Sequence, residues 1–180
     1  MLNAPLNLSQ IEATNIIEYL YAIFHRDFVA QKTILANQIY IDPQSHKKDQ
    51  GKECDFWHLT TRVQKERIWV GNKYVWQEGE RYTDFRRAER LEWVKQILIN
   101  HSHQNIKLFY HRENNAKRDI RLYLWAYESD FVVILQKLGR SSSFMVTSFF
   151  VDDEHKKTVY DNRYHTYTNG SNELRNCEWF

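Results

Sequence analysis

The feature that most constrains the fold is a period of two in hydrophobicity that begins after Asn105. Successive side chains of a β-strand point to opposite faces of a sheet, so this period predicts strands with one buried face. The pattern predicts four strands, at residues 106–111, 120–126, 131–137 and 143–151. Short connections that contain turn formers, such as Asn114, Asn115 and Gly139, are typical of hairpins. We therefore predict a C-terminal, four-stranded antiparallel β-meander.

Helical periodicity dominates the residues before this meander. A Ser9–Glu12 capping box precedes a predicted helix over residues 10–29, and Asp84 precedes a second one over residues 85–101. Residues 33–41 are rich in β-formers and indicate a short strand or hairpin. The predicted fold class is thus α+β, with N-terminal helices packed on one face of the meander. The other face is expected to form an open, aromatic and cationic surface.

Length and composition favour one domain over residues 1–180, since hydrophobic residues make up 42% of the chain and proline and glycine are scarce. Within it we predict exposed loops at residues 43–54 and 64–82 and a flexible tail at 168–180. Cys54 and Cys177 are too few for a disulfide framework. Neither a signal peptide nor a membrane span is indicated, so we expect a cytoplasmic protein without a membrane partner.

Three segments, taken together and in order, carry a resemblance to a known group of nucleases. They are DFWHLTT at residues 55–61, DFRRAERLEWV at 84–94, and DFVVIL at 130–135 followed by MVTSF at 145–149. The chain resembles phage-type members of the barnase–EndoU–colicin–RelE nuclease superfamily. That resemblance implies a metal-independent endoribonuclease that needs no cofactor and acts as a bacterial or phage toxin. RNA would be its substrate, and an antitoxin or immunity protein its expected partner.

The resemblance also implies four catalytic positions, which are His58, Arg90, Arg121 and Thr147. Cleavage through the 2′-OH of RNA, to a 2′,3′-cyclic phosphate, needs proton transfer, for which histidine is suited near neutral pH. Arginine holds phosphate oxygens with its planar fork, and a threonine hydroxyl can hydrogen-bond the phosphate. Structural roles stay open at this point: His58 as a core histidine, Arg121 as a surface residue, and Arg90 in a pair with Glu89.

Substrate contacts are predicted for Arg62, Arg86, Tyr123 and Lys157, because basic clusters neutralise phosphates and aromatic rings stack on bases. No metal site is predicted, since the chain has no HExxH motif and no paired cysteines. Net charge is only +2, so global charge does not by itself indicate nucleic-acid binding. The alternative functions are a non-catalytic RNA-binding or regulatory module and a protein-interaction domain.

Overall fold

A mixed six-stranded sheet, curled into a half-barrel, lies at the centre of the fold. The computed structural model describes residues 2–170 and 172–180. The strands are β1 (Ile34–Leu35), β2 (Ile39–Ile41), β3 (Lys48–Asp49), β4 (Lys52–Glu53), β5 (Thr61–Val70), β6 (Lys73–Thr83), β7 (Ile106–Arg112), β8 (Ile120–Ala126), β9 (Phe131–Lys137) and β10 (Ser142–Phe150). The helices are α1 (Ile16–Phe24), α2 (Cys54–Thr60), α3 (Phe85–Ala88), α4 (Leu91–Ile99), α5 (Glu154–Thr168) and α6 (Asn172–Arg175).

The sheet has the order β1-β2-β10-β9-β8-β7, and β2 runs parallel to β10. Strands β7 to β10 form the predicted meander, but the predicted fold class is wrong. The β1–β2 hairpin extends the sheet beyond β10, where Tyr40 and Ile41 pair with Ser142 and Ser143. Local periodicity reports which residues form strands, whereas this pairing joins segments about a hundred residues apart, so the sequence pattern could not reveal it.

Helices cover both faces of the sheet, which is the second departure from the predicted architecture. Helices α1 and α4 pack on the face that carries Leu122, Leu124 and Val133. Helix α5 packs on the opposite face, where Tyr160 contacts Tyr123 and Trp125. The surface that was expected to be open is therefore a second core. No helix in the described residues is long and apolar enough to cross a bilayer; α5 has 15 residues.

The N-terminal helix begins later than predicted, and after α1 it continues as a π-helix over His25–Ala30, close to its predicted end. Two 3₁₀ turns occupy Leu8–Gln10 and Ala13–Asn15, and the α-helix begins only at Ile16. The Ser9 hydroxyl donates to the Asn7 side chain, so the capping box is not formed. Asp84 does act as the predicted cap, because its carboxylate accepts a hydrogen bond from the Arg87 amide.

The predicted loop at residues 64–82 is wrong, since these residues belong to a long β-hairpin formed by β5 and β6. Its two-residue tip, Gly71-Asn72, has positive φ at both positions. That geometry matches the twist of the flanking strands in tight hairpins. Gly71-Asn72 was the available signal, but exposed aromatic residues on both strands obscured the usual apolar–polar alternation.

Two smaller predictions also need correction. The predicted loop at 43–54 contains the short β3–β4 hairpin. The tail predicted to be flexible, at 168–180, packs on the fold: Leu174 and Trp179 are buried in the main core. The Trp179 amide donates to the Tyr110 hydroxyl at 2.9 Å. Aromatic packing thus anchors the C-terminus without any periodic pattern in the sequence.

A buried carboxyl group, that of Asp55, lies at the edge of the sheet beside α2. Along β10, only Ser142 and Ser143 pair with β2, so the rest of β10 lies at the edge of the sheet. There the backbone N–H of Met145 donates to the Asp55 side chain. Asp55 is 3% exposed, and its Oδ2 atom has no hydrogen-bond partner among the described residues. Burial raises the pKa of Asp55 to about 7, and the negative charges of Asp42 and Glu53 act in the same direction.

This shift predicts a specific dependence of stability on pH. The unfolded carboxyl titrates near pH 4, so between about pH 4 and pH 7 the folded protein binds the additional proton, and its stability falls as pH rises. Asp55→Asn keeps an acceptor for Met145 and cannot ionise. We expect the variant to be more stable at pH 8, by on the order of 2 kcal/mol, and to converge with the natural protein near pH 4.

Urea unfolding between pH 4 and pH 8 measures this difference. Asp49→Asn, which changes an exposed carboxylate nearby, is the matched control and should leave the fall of stability between pH 4 and pH 8 unchanged. A variant at Asp55 that is less stable than the natural protein at pH 8 would show that the ionised carboxylate stabilises the fold.

Candidate functional site

A cleft of about 430 Å³ lies at the foot of the β5–β6 hairpin, where α2, α3 and β10 meet. Three residues that were predicted from sequence line it, namely His58, Arg62 and Thr147. The cleft therefore brings together positions from the first and last thirds of the chain. Its geometry identifies it as the candidate functional site.

The walls of the cleft are cationic. Lys65, Arg81 and Arg87 join Arg62, and Glu78 is the carboxylate among the lining residues. An excess of positive charge around a small cavity attracts anions, phosphate groups among them. The site is thus suited to a negatively charged ligand.

Helix α2 positions His58 by burying its neighbours. Phe56, Trp57 and Leu59 pack into the core, which leaves the imidazole on the open side of the helix. The Thr61 hydroxyl donates to the Trp57 carbonyl at 2.6 Å and closes the end of the helix. The His58 ring makes no hydrogen bond to the described residues.

Partial desolvation in the cleft lowers the pKa of His58, and the positive charges of Arg81 and Arg87 lower it further. The imidazole is therefore mainly neutral at pH 7, because its ordinary pKa is already below that value. A neutral imidazole without a hydrogen-bond partner is able to accept a proton from a bound ligand.

Arg87 joins the elements that form the cleft. Its Nη1 atom donates to the backbone carbonyl of His58 at 2.5 Å and to that of Thr61 at 3.3 Å. Its Nε atom is buried without a hydrogen-bond partner among the described residues, 3.8 Å from an Asp84 oxygen. Arg87 thus holds the α2–β5 junction and contributes positive charge to the same cleft.

The hairpin contributes the other guanidinium groups. Arg81 donates to the Thr61 hydroxyl at 2.9 Å, and Arg62 forms an ion pair with Asp84. Both residues keep exposed surface, unlike the more buried Arg87. They are the cations on the wall that a ligand reaches most easily.

A β-bulge brings Thr147 into the cleft. The register between β10 and β9 shifts between Met145 and Thr147, so Val146 is an extra residue and both Val146 and Thr147 line the cavity. Bulges change the direction of side chains and are common beside functional sites. Periodicity predicted the strand at this position but could not predict its bulge.

The predicted catalytic residues Arg121 and Arg90 do not line this cleft. Arg121 lies on β8, which is separated from β10 by β9, and its Nε atom donates to Gln136 at 3.3 Å. Arg90 packs its guanidinium over Trp93 and Phe150, 5.1 and 4.9 Å from the ring centres. Both residues make contacts that stabilise the fold.

Three predicted binding residues also lie elsewhere. Tyr123 is 3% exposed and packs against α5, so it cannot stack on a base. Lys157 pairs with Asp130 and Glu154 at the start of α5. Arg86 forms an ion pair with Asp152 in a neighbouring shallow cleft that Arg62 also lines.

Sequence reasoning missed Lys65, Glu78, Arg81 and Arg87 as site residues. Arg87 lies beside Arg86 in the segment that carries the resemblance, and only the turn of α3 determines which of the two faces the cleft. The other three belong to the hairpin that was predicted as a loop. Recognising its Gly71-Asn72 tip would have placed Lys65 and Glu78 opposite each other.

No protein-family model, curated protein or solved structure matches the chain. Among residues 2–170 and 172–180, no three His, Cys, Asp or Glu side chains converge in a way that could hold a metal ion.

The effect of the Arg81 charge on the pKa of His58 can be tested directly. Arg81→Gln removes a positive charge that disfavours the imidazolium, so we expect the pKa of His58 to rise. The pH titration of the His58 ring proton by NMR measures the change. Lys73→Gln removes a charge at the far tip of the same hairpin and should leave this pKa unaltered. An unchanged or lower pKa in Arg81→Gln would mean that the Arg81 charge does not act on His58.

Proposed function

We propose that the chain is a metal-independent endoribonuclease whose active site is the cationic cleft at the foot of the β5–β6 hairpin. The observation that carries this proposal is the convergence of His58 and Thr147 on one cavity with Arg62, Lys65, Arg81 and Arg87. The resemblance to nucleases implies four catalytic positions, of which His58 and Thr147 share this cavity and Arg90 and Arg121 lie outside it. The proximity of His58 and Thr147 supports the proposal.

The chemistry follows from the groups on the cleft wall. The neutral imidazole of His58 accepts the proton of the ribose 2′-OH, and the 2′-oxygen forms a bond to phosphorus. The bond from phosphorus to the 5′-oxygen breaks, that oxygen takes a proton from water, and the resulting hydroxide takes the proton from the His58 imidazolium. The products are a 2′,3′-cyclic phosphate and a 5′-hydroxyl.

The cations stabilise the transition state of this reaction. Arg62 and Arg81 offset the negative charge that accumulates on the phosphoryl oxygens, and the Thr147 hydroxyl can hydrogen-bond one of them. Arg87 acts mainly as a positioning residue, because its Nη1 atom is occupied by the His58 and Thr61 carbonyls. In this proposal the protein is a cytoplasmic bacterial or phage toxin restrained by an antitoxin or immunity protein.

A non-catalytic RNA-binding module is the second candidate. The ion pair of Arg62 with Asp84 and the hydrogen bond of Arg81 to Thr61 favour it, since both guanidinium groups already have partners. Such a module would bind RNA in a salt-dependent manner without turnover. Detection of products with cyclic-phosphate ends distinguishes the two functions.

Loss of the imidazole tests the proposed reaction. We expect His58→Ala to lower kcat/KM for RNA cleavage by roughly 10²- to 10⁴-fold, as is usual when a general base is removed. Because His58 must be neutral, the activity of the natural protein should rise with pH through a value below its ordinary 6.5 and then level off. Cleavage of a labelled single-stranded RNA, with analysis of its ends, measures both effects.

His155→Ala is the matched control, because this histidine is exposed on α5 away from the cleft, and it should retain full activity. RNA that stays intact with the natural protein across this pH range, or cleavage that His58→Ala leaves unaltered, would contradict the proposal.

Two arginines distinguish the cleft from the sheet as the site of phosphate binding. We expect Arg81→Ala to reduce kcat/KM by on the order of 10²-fold, because it removes a charge beside the phosphate. Arg121→Ala should cleave RNA at the natural rate, since Arg121 contacts Gln136 outside the cleft. Parallel single-turnover assays measure both variants. If Arg121→Ala lost activity while Arg81→Ala kept it, the active site would lie beside β8 and not in the cleft.

A further inference from the structure

The β5–β6 hairpin extends far beyond the cleft at its foot. From Thr61 to the strand end near Val70, nine steps along β5 span about 30 Å. Nearly all of its residues beyond Val63 are exposed, and its contacts with α2 and α3 lie at its base. An isolated two-stranded ribbon is at best marginally stable in water. Its length and exposure therefore call for an explanation in terms of binding.

One face of the ribbon continues the wall of the cleft. Cross-strand pairing places Val63 opposite Arg81, Lys65 opposite Glu78, Arg67 opposite Trp76, and Trp69 opposite Tyr74. The β5 members alternate along their strand, whereas on β6 a register shift separates Glu78 from Arg81. The side that these paired residues share is called here the cleft face of the hairpin. The inner members of this face line the cleft, and the outer members extend it towards the tip.

The outer half of the cleft face is aromatic and cationic. Trp69, Tyr74 and Trp76 are 60%, 57% and 69% exposed. The Arg67 guanidinium lies 4.5 Å from the centre of the Tyr74 ring, and the Trp69 and Tyr74 rings meet edge to face at 4.7 Å. The Trp76 ring makes no aromatic contact in the described residues. Large rings that are open to solvent beside Lys65 and Arg67 form a surface on which bases can stack.

The opposite face of the ribbon has a different chemistry. Ile68 lies opposite Val75, Val70 opposite Lys73, and Glu66 opposite Gln77. This face is aliphatic near the tip, carries Lys73 beside the tip and Glu66 further down, and has Tyr82 paired with Arg62 at its base. In the outer half of the ribbon, the aromatic residues lie on the side that leads into the cleft.

We infer that the cleft face of the hairpin binds the single-stranded RNA that leads away from the scissile phosphate. Bases stack on Trp76 and on the Trp69–Tyr74 pair, while Lys65 and Arg67 contact phosphates. This inference rests on the proposed function and specifies its substrate as a single strand that extends several nucleotides beyond the cut. Bases in a duplex are already stacked and paired, so the rings on this ribbon would have no base faces to bind.

Charge complementarity and continuity favour RNA over a protein occupant. The cationic cleft and the cationic, aromatic ribbon adjoin at Lys65 and Arg81, so a polyanion bound in the cleft can extend along the ribbon. The open aliphatic side near Val70 and Val75 would be the natural contact for a second copy of the chain. RNA binding should therefore be weakened by substitutions on the cleft face, and self-association by substitutions on the aliphatic face.

The experiment measures binding separately from cleavage. A fluorescein-labelled single strand of about 12 nucleotides, fully 2′-O-methylated so that it cannot be cut, is titrated with the full-length protein and followed by anisotropy. We expect Trp76→Ala to weaken binding roughly 5- to 100-fold, and Trp76→Phe to restore most of the affinity. Arg67→Ala should reduce the slope of log affinity against log salt by about 0.7.

Val75→Ala and Lys73→Gln are the matched controls on the opposite face, and they should bind the strand as the natural protein does. Cleavage assays with RNA substrates of two lengths test the same surface. Trp76→Ala should lower kcat/KM for the long strand but not for a dinucleotide, which reaches only the cleft. A blunt duplex of the same sequence should bind more weakly than the single strand.

The outcomes separate the two proposals. Cleavage that depends on His58, together with full affinity in Trp76→Ala, overturns the role of the hairpin and leaves the nuclease proposal standing. Binding that depends on Trp76, without any cleavage, supports the hairpin as an RNA surface and overturns the nuclease. If the protein sediments as a dimer that Val75→Ala dissociates, and Trp76→Ala binds RNA normally, the ribbon is a self-association surface and the inference is wrong.

Discussion

The interaction on which the candidate site depends is the link that Arg87 makes between α3 and the α2–β5 junction. One guanidinium nitrogen holds two backbone carbonyls, those of His58 and Thr61, where the chain changes from helix to strand. Hydrogen bonds that involve a charged group contribute about 1.5–3 kcal/mol each. Together with the core packing of α2 and the hydrogen bond of Thr61 to Trp57, this link fixes the direction of the hairpin and the position of the imidazole. Because the side chain is largely buried, the same contact also introduces a positive charge that water does not fully screen.

The packing of α5 explains why the candidate site lies at the edge of the sheet and not on its face. Tyr160 and neighbouring residues of α5 cover Phe109, Tyr123 and Trp125, so the aromatic face of the meander becomes a core. The apolar residues of α5 do not form a strong helical stripe, since Tyr160 is its one buried residue in the described part of the chain. A few large rings thus supply the contact area that a regular amphipathic pattern would otherwise provide.

Sequence reasoning predicted the parts of this protein that depend on local periodicity. The four strands from residue 106 onwards and the Asp84 helix cap are where the pattern placed them. It failed where a distant partner decides the structure: the parallel pairing of β2 with β10, and the burial of Tyr123 under α5. In the site, His58 and Thr147 were found through a resemblance between short segments. Arg81 and Glu78 could not be found while their hairpin was taken for a loop.

The electrostatics of the cleft are unbalanced in a way that favours a ligand. Arg62, Lys65, Arg81 and Arg87 surround the cavity, and the nearby carboxylates are Glu78 and Asp84. Asp84 accepts from the Arg87 amide and also pairs with Arg62, so one carboxylate serves two cations. The remaining positive charges on the cleft wall repel one another. In the proposed function, a phosphate group would offset that repulsion, and the cations and rings on the cleft face of the hairpin would extend the attraction along an RNA strand.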